Sequence, residues 1–163
     1  MFFCHYESPV GRLMVGGGQK LEFISFPKGK SVISTGSDWV HDENRFSDAL
    51  SQLDRYFNGS LTRFSLDYFL TGTPFQQRVW RELAKVPYGT TISYGELARR
   101  TGNAKAARAV GMANAKNPLP IVIPCHRVIG KNGTLTGFGG GLDVKQKLLA
   151  LEGLDLPASA GSI

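Results

Sequence analysis

The sequence predicts an α+β fold: an N-terminal α/β domain on a small antiparallel sheet (residues 1–71), then a mostly helical C-terminal domain with a helix-turn-helix (72–163). Three observations carry that prediction. Short apolar–polar alternations between glycine and proline turns fill residues 2–25. From Asn44 onward apolar residues fall three and four apart instead. The charge also divides: residues 1–71 hold 7 Lys/Arg against 8 Asp/Glu, residues 72–163 hold 12 against 5. A basic half suits a polyanionic partner, but a solvated basic face would look the same.

Phe2, Cys4 and Tyr6 alternate as a first strand, and Ser8-Pro9-Val10-Gly11 turns the chain. Arg12 to Val15 resumes an extended run, Gly16-Gly-Gly-Gln19 turns again, and Leu21, Phe23 and Ser25 make a third strand. Pro27 to Val40 is polar and without period, hence loop. Phe46, Leu50, Leu53 and Phe57 lie on one helical face, stopped at Gly59. Phe64, Leu66 and Tyr68 alternate briefly before the boundary placed near residue 72.

Thr73-Pro74-Phe75-Gln76 has the composition of a capping box with proline at the first helical position, and Phe75, Val79 and Leu83 form the inward face beside Trp80. Ser93 and Glu96 form a second box, opening a short helix to about Arg100. After Thr101-Gly102-Asn103, Asn103 caps a third helix running to about Ala115. Two short helices about a glycine-containing turn match a helix-turn-helix, though structural helical hairpins share the pattern. The second helix carries Ala104, Ala106, Ala107, Ala109, Gly111, Ala113 and Ala115 and is nearly without bulk, which suits close helix packing or approach to a groove. Lys105, Arg108 and Lys116 are its cations. Lys131-Asn-Gly133 turns, glycines surround Phe138, and a last helix spans about Asp143 to Glu152 before a frayed ten-residue tail.

Composition removes several classes. No apolar run approaches the roughly 18 residues needed to span a membrane, and Met1-Phe-Phe-Cys-His-Tyr has no signal-peptide pattern. Cys4 and Cys125 belong to no CxxC pair, so a disulfide scaffold or clustered metal site is not expected, and a reducing cytoplasmic or nuclear setting is. The glycine-rich segment lacks the Lys-Ser/Thr end of a phosphate loop.

The chemistry concentrates in Ile121-Val-Ile-Pro-Cys-His-Arg-Val-Ile-Gly130, read as a buried strand or extended segment. A thiol, an imidazole and a guanidinium inside such a run are costly unless paired or used. Cys125 alone would read as a small core residue. His126 beside it, the sole histidine of the basic half, suits the activation of a thiol that is only about 3% ionised at pH 7. On an extended backbone neighbouring side chains point apart, so a water would have to bridge imidazole and thiol.

These residues, with Ala106-Ala-Arg-Ala-Val-Gly111 and Asn117-Pro118, resemble the O6-alkylguanine-DNA alkyltransferases (methylated-DNA–protein-cysteine methyltransferases). The likeness is strongest from Thr73 to Gly153 and rests on Pro-Cys-His-Arg. It implies a winged-helix-like C-terminal domain that extrudes an alkylated guanine from double-stranded DNA, docked in the minor groove. The alkyl group then passes irreversibly to Cys125, once per molecule. It further implies that His126 acts on the thiol through water, Glu152 holds His126, Asn117 fixes the turn, and Tyr94 rotates the nucleotide and donates to the guanine. Arg108 would fill the vacated stack, Val128 would offer a carbonyl to the base, Lys145 would support the pocket, and Phe138 and Gly139 would close over it. Lys105, Ala107, Ala109 and Lys116 complete the expected DNA surface. Some relatives carry tyrosine where Phe138 stands, which bears on substrate size. The implied protein is a monomer with no cofactor; cooperative binding along DNA and action on O4-alkylthymine stay open. The zinc of some relatives would need N-terminal ligands, and with only Cys4 and His5 near one another no metal is expected.

Two rivals remain. A non-enzymatic helix-turn-helix sensor would need neither His126 nor Glu152, and a cysteine hydrolase would need a direct Cys–His pair that adjacent residues do not give.

Overall fold

In the computed structural model, which describes residues 1–156, the first half is a four-stranded sheet with one helix. Strands β1 (Phe2–Ser8), β2 (Gly11–Gly17) and β3 (Leu21–Ser25) pair antiparallel, with Ser8 opposite Gly11 at the first hairpin and a bulge at Gly16/Gly17. The three strands expected from alternation are therefore present. A fourth, β4 (Val40–His41), pairs parallel to β1 at the edge, at the end of the segment read as loop. Two residues are too few to show a period, so local sequence could not announce it. Helix α1 (Ser47–Phe57), preceded by a 3₁₀ turn over Asn44–Phe46, buries Leu53 and Tyr56 completely.

The second half opens with α2 (Pro74–Leu83). Its N-terminus is the expected reciprocal box: Gln76 N donates to Thr73 Oγ1, and Thr73 N donates to Gln76 Oε1. Val79, Trp80 and Leu83 are buried, whereas Phe75 is only half-buried. Strand β5 (Ile92–Ser93) leads into α3 (Tyr94–Thr101), and α4 (Ala107–Ala115) follows. Two expected caps need correction. Ser93 Oγ accepts from Glu96 N, but the Glu96 carboxylate turns outward to Arg99 and Arg100, so only half of that box exists. Asn103 Oδ1 accepts from Lys105 N in the turn before α4, whose own N-cap is Ala106. Gly102, at φ +107°, closes α3 in the left-handed region, as a helix-ending glycine should. Trp80 Nε1 donates to the Ala113 carbonyl at 2.8 Å and fixes α4 on α2.

The central stretch is not a strand. Cys125–Arg127 form a 3₁₀ turn, and only Val128–Ile129 extend, as β6, pairing parallel with β5. Pro124 cannot donate to a ladder, and Ile121 sits at φ +76°, so the apolar run bends instead of pairing. That left-handed conformation is costly for a β-branched residue and must be held from outside. Asn117 holds it: its Nδ2 donates to the Ile123 carbonyl at 2.7 Å and its Oδ1 accepts from Leu119 N at 2.9 Å. Helix α5 (Leu142–Leu151) closes the fold, with Gly153 at φ +89° behind it. Of the tail read as frayed, Leu154 and Leu156 pack against the small cluster of Ile129, Leu135 and Leu149, and residues 157–163 lie outside the described residues.

One hydrophobic core runs through both halves, from Cys4, Leu13 and Leu53 to Trp80, Leu97, Ile123 and Leu148. Ile24 N donates to the Pro118 carbonyl and Lys30 N to the Gly139 carbonyl, so main-chain bonds also join the halves. Gly29, at φ +101°, rests on Gly139 with no room for a β-carbon.

Candidate active site

The parallel β5–β6 pair places Ile92 beside Val128 and Ser93 beside Ile129, which brings Tyr94 at the start of α3 next to the Cys125–Arg127 turn. Between them opens a pocket of about 720 Å³. Cys125 and Asn117 form part of its wall, Tyr94 and Gly111 another, and Phe138, Gly139 and Gly140 a third. Phe26, Lys30 and Ser31 close it from the N-terminal half, where Phe26 meets Phe138 edge to face at 5.6 Å. The size and mixed lining suit one planar heterocycle with its sugar.

Behind Cys125 lies a buried polar cluster built on Glu152. Its Oε2 accepts from His126 Nε2 at 2.6 Å, from Tyr56 Oη at 2.6 Å and from Arg127 Nη2 at 3.0 Å. Its Oε1 accepts from Arg127 Nε at 2.8 Å and from Gly89 N at 3.1 Å. Five donors occupy about the full accepting capacity of a carboxylate. Burial by itself would raise this carboxyl, but the bonds from His126, Arg127 and Tyr56 outweigh it and hold the group far below the usual range. Burial lowers the His126 imidazole from its ordinary 6.5 despite the carboxylate. The ring is therefore neutral and donates through Nε2. Its Nδ1, buried and without a partner among the described residues, carries the free lone pair.

Burial pushes the Cys125 thiol up to about 11, against the lowering by Asn117 and by the charge of Lys145. Lys145, wholly buried, donates to the Val128 carbonyl at 2.6 Å and to the Thr136 carbonyl at 2.8 Å, and burial lowers it to about 8. Tyr94 Oη donates to the Thr136 carbonyl at a long 3.4 Å, a bond weak enough to be exchanged for a ligand.

The structure thus gathers Cys125, Asn117, Tyr94, Phe138, Gly139 and Lys116 around the pocket, with His126, Glu152 and Lys145 packed behind. Val128 is buried and its carbonyl serves Lys145; it does not line the pocket. Arg108 and Ala109 lie on the exposed face of α4, Ala107 half-buried at its start, Lys105 and Lys116 just outside its ends. Arg108, Lys105 and Lys116 make no ion pair among the described residues.

Several residues of the pocket and of the cluster behind it were not singled out by sequence, Phe26, Lys30, Arg127, Asn114 and Tyr56 among them. Arg127 could have been, because a buried guanidinium demands a carboxylate. Asn114, whose Nδ2 donates to the Cys125 carbonyl at 3.4 Å, and Tyr56 carry no local signal. Met112 stands 63% exposed on the small face of α4, four residues after Arg108.

The cluster makes stability acid-sensitive. The unfolded imidazole takes up its proton near 6.5 while the buried one resists, so below that value the unfolded state binds more protons and stability falls with pH. Glu152, depressed in the fold, adds a further loss below about 4.5. Urea midpoints measured from pH 7.5 to 4 should show both declines. His126→Gln should remove most of the upper one, His5 supplying the remainder because burial lowers it too.

Comparison with known proteins agrees with this arrangement. Residues 74–154 match the family model described as 6-O-methylguanine DNA methyltransferase, DNA binding domain, and residues 1–68 match its ribonuclease-like domain. The chain is 47% identical over 154 residues to the methylated-DNA–protein-cysteine methyltransferase of Methanosarcina acetivorans, covering 94% of this chain and 99% of that one. It is 48% identical over 154 residues to the Mycobacterium leprae protein of the same name, covering 93% of each. The Mycobacterium tuberculosis OGT solved in complex with DNA superposes with a TM-score of 0.87 at 45% identity, over 97% of this chain and 96% of that one. Two family models that together span nearly the whole sequence, and relatives near half identity over 93% or more of their own length, show that the chain belongs to the methylated-DNA–protein-cysteine methyltransferase family.

Proposed function

We propose that this protein repairs O6-alkylguanine in double-stranded DNA by direct reversal, taking the alkyl group onto Cys125 in a single turnover. One observation carries the reading: a buried thiol on a base-sized pocket stands beside an imidazole whose Nε2 is committed to Glu152 and whose Nδ1 is free. The relatives' names and the DNA complex of the tuberculosis protein support it.

The step is an in-line displacement. The thiol proton passes through a water to His126 Nδ1, Cys125 Sγ forms a bond to the alkyl carbon, and the carbon–O6 bond breaks. The guanine leaves with the electron pair of that bond and takes a proton from Tyr94 Oη, and the proton lost by the thiol returns from His126 through solvent to restore the phenol. A thiol held near 11 is nearly all protonated at pH 7, so the base is needed at the moment of attack. Only an extruded base reaches the pocket, and a damaged, poorly paired base costs least to extrude.

Docking falls to α4 in the minor groove. Ala107, Ala109 and Gly111 let its backbone approach, Arg108 enters the stack, and Lys105 and Lys116 meet phosphates. Lys145, behind the pocket, holds the Val128 and Thr136 carbonyls and so fixes Thr136 in the pocket wall, while Phe138 and Gly139 cover the base.

The test is the intact mass, then a peptide map, after incubation with excess duplex containing one O6-methylguanine. We expect one added methylene per molecule, on the Cys125 peptide, and none in Cys125→Ser. Unchanged mass with retained DNA binding would replace this reading with that of a damage sensor.

A further inference from the structure

The N-terminal half reaches the reacting cluster through one side chain, Tyr56 of α1. It is wholly buried, 96 positions before Glu152, and its hydroxyl donates to Glu152 Oε2 at 2.6 Å. His126 Nε2 meets the same oxygen at the same distance. Arg127 already supplies the countercharge and binds both carboxylate oxygens, so neutralising Glu152 does not require a phenol. The second strong donor on Oε2 has a different effect. An oxygen that shares its lone pairs between two short bonds pulls less on each proton than an oxygen serving one.

We propose that Tyr56 is a positioning residue of the transfer site: by sharing Glu152 Oε2 with His126 it limits the carboxylate's hold on the imidazole and keeps Nδ1 available as the base. This inference rests on the transfer reading above. It gives the N-terminal half a part in the chemistry beyond supporting the pocket.

The geometry leaves little slack. The Tyr56 ring is held by Phe57 at 5.2 Å, Phe64 at 5.4 Å and Tyr88 at 6.2 Å, which fixes the direction of its hydroxyl. Burial and the adjacent carboxylate raise the phenol well above its ordinary value, so it stays a donor throughout the working range. The other charged or titratable groups around the relay are Arg127 and Cys125 from the 3₁₀ turn, Lys145 from α5 and Tyr88 from the loop after α2. Tyr94, from α3, faces the thiol on the pocket side. None of these except Arg127 contacts Oε2.

Tyr56→Phe keeps the ring and removes only the donor. Oε2 then acts on His126 more strongly, the imidazolium is favoured, and the neutral base appears at higher pH. The experiment is the second-order rate of alkyl uptake from a duplex containing O6-methylguanine, followed from pH 5 to 9. We expect the acid limb of Tyr56→Phe to move up by roughly half a pH unit or more, the scale of losing one charge-assisted hydrogen bond. Leu53→Ala, a cavity in the same helix, lowers stability and should leave the limb in place. The protein with 3-fluorotyrosine at position 56 keeps the ring and donates more strongly, so its limb should move down, and it serves if Tyr56→Phe does not fold. Limbs that coincide with wild type, or a Leu53→Ala limb that moves with Tyr56→Phe, would overturn the inference. A wild-type chain that takes up no alkyl group would instead overturn the transfer reading itself.

Discussion

His126→Gln should take up the alkyl group about 10²–10⁴ times more slowly than wild type at pH 7, the usual contribution of a positioned general base. Glutamine can still donate to Glu152 Oε2 from the site of the imidazole Nε2, so the carboxylate keeps a partner and the fold survives. What disappears is the lone pair of Nδ1. The deficit should also depend on pH in one direction. Without the base the rate follows the thiolate fraction of Cys125, which rises tenfold per unit toward about 11, while the wild-type rate levels off above the imidazole range. Rates compared between pH 6 and 10 should therefore converge. A constant ratio across that range would mean that His126 acts by packing alone.

Arg127→Met should cost about 3–5 kcal/mol of unfolding free energy, the penalty for removing one member of a buried ion pair. Arg127 is 6% exposed, and its guanidinium spends three nitrogens on the cluster: Nε and Nη2 on Glu152, Nη1 on the Val86 carbonyl at 2.7 Å. Methionine fills much of the volume but leaves Glu152 charged in a dry site and the Val86 carbonyl bare. Urea denaturation of the two proteins at pH 7.5 measures the loss directly. A shift below about 1 kcal/mol would mean that water reaches Glu152 and that the cluster is looser than its distances indicate.

Much of the architecture was legible because it is written in short-range pattern. The alternation of Phe2, Cys4 and Tyr6, the Thr73–Gln76 box and the glycine turn between α3 and α4 each concern residues within a few positions of one another. Where the reading missed, a distant contact overrode the local pattern. Ile121-Val-Ile has the composition of a strand, yet Asn117 bends it into a left-handed turn that places Cys125 at the pocket wall. Pairing of Glu152 with His126 was implied by resemblance and could not be chosen from spacing; the distance of 2.6 Å now supplies the physical ground. Tyr56 fits the amphipathic face of α1 as an ordinary core aromatic, and nothing in its neighbours signals that its hydroxyl meets a carboxylate 96 positions later.

That separation also bears on how the protein acquires its reactivity. Closing so long a loop costs only about 1 kcal/mol more than closing the 26-position loop between His126 and Glu152, but the contact still has to join two separate halves of the chain. The β1–β2 hairpin and the i,i+4 ladders of the helices need no such joining. Glu152 ties Tyr56 and Gly89 to the turn that bears Cys125, so the N-terminal half joins the relay only through this long-range contact. A chain whose α1 has not docked can still hold His126 against Glu152, 26 positions away, but without the second donor that Tyr56 supplies. The complete set of donors on Glu152 therefore exists only when both halves have packed together.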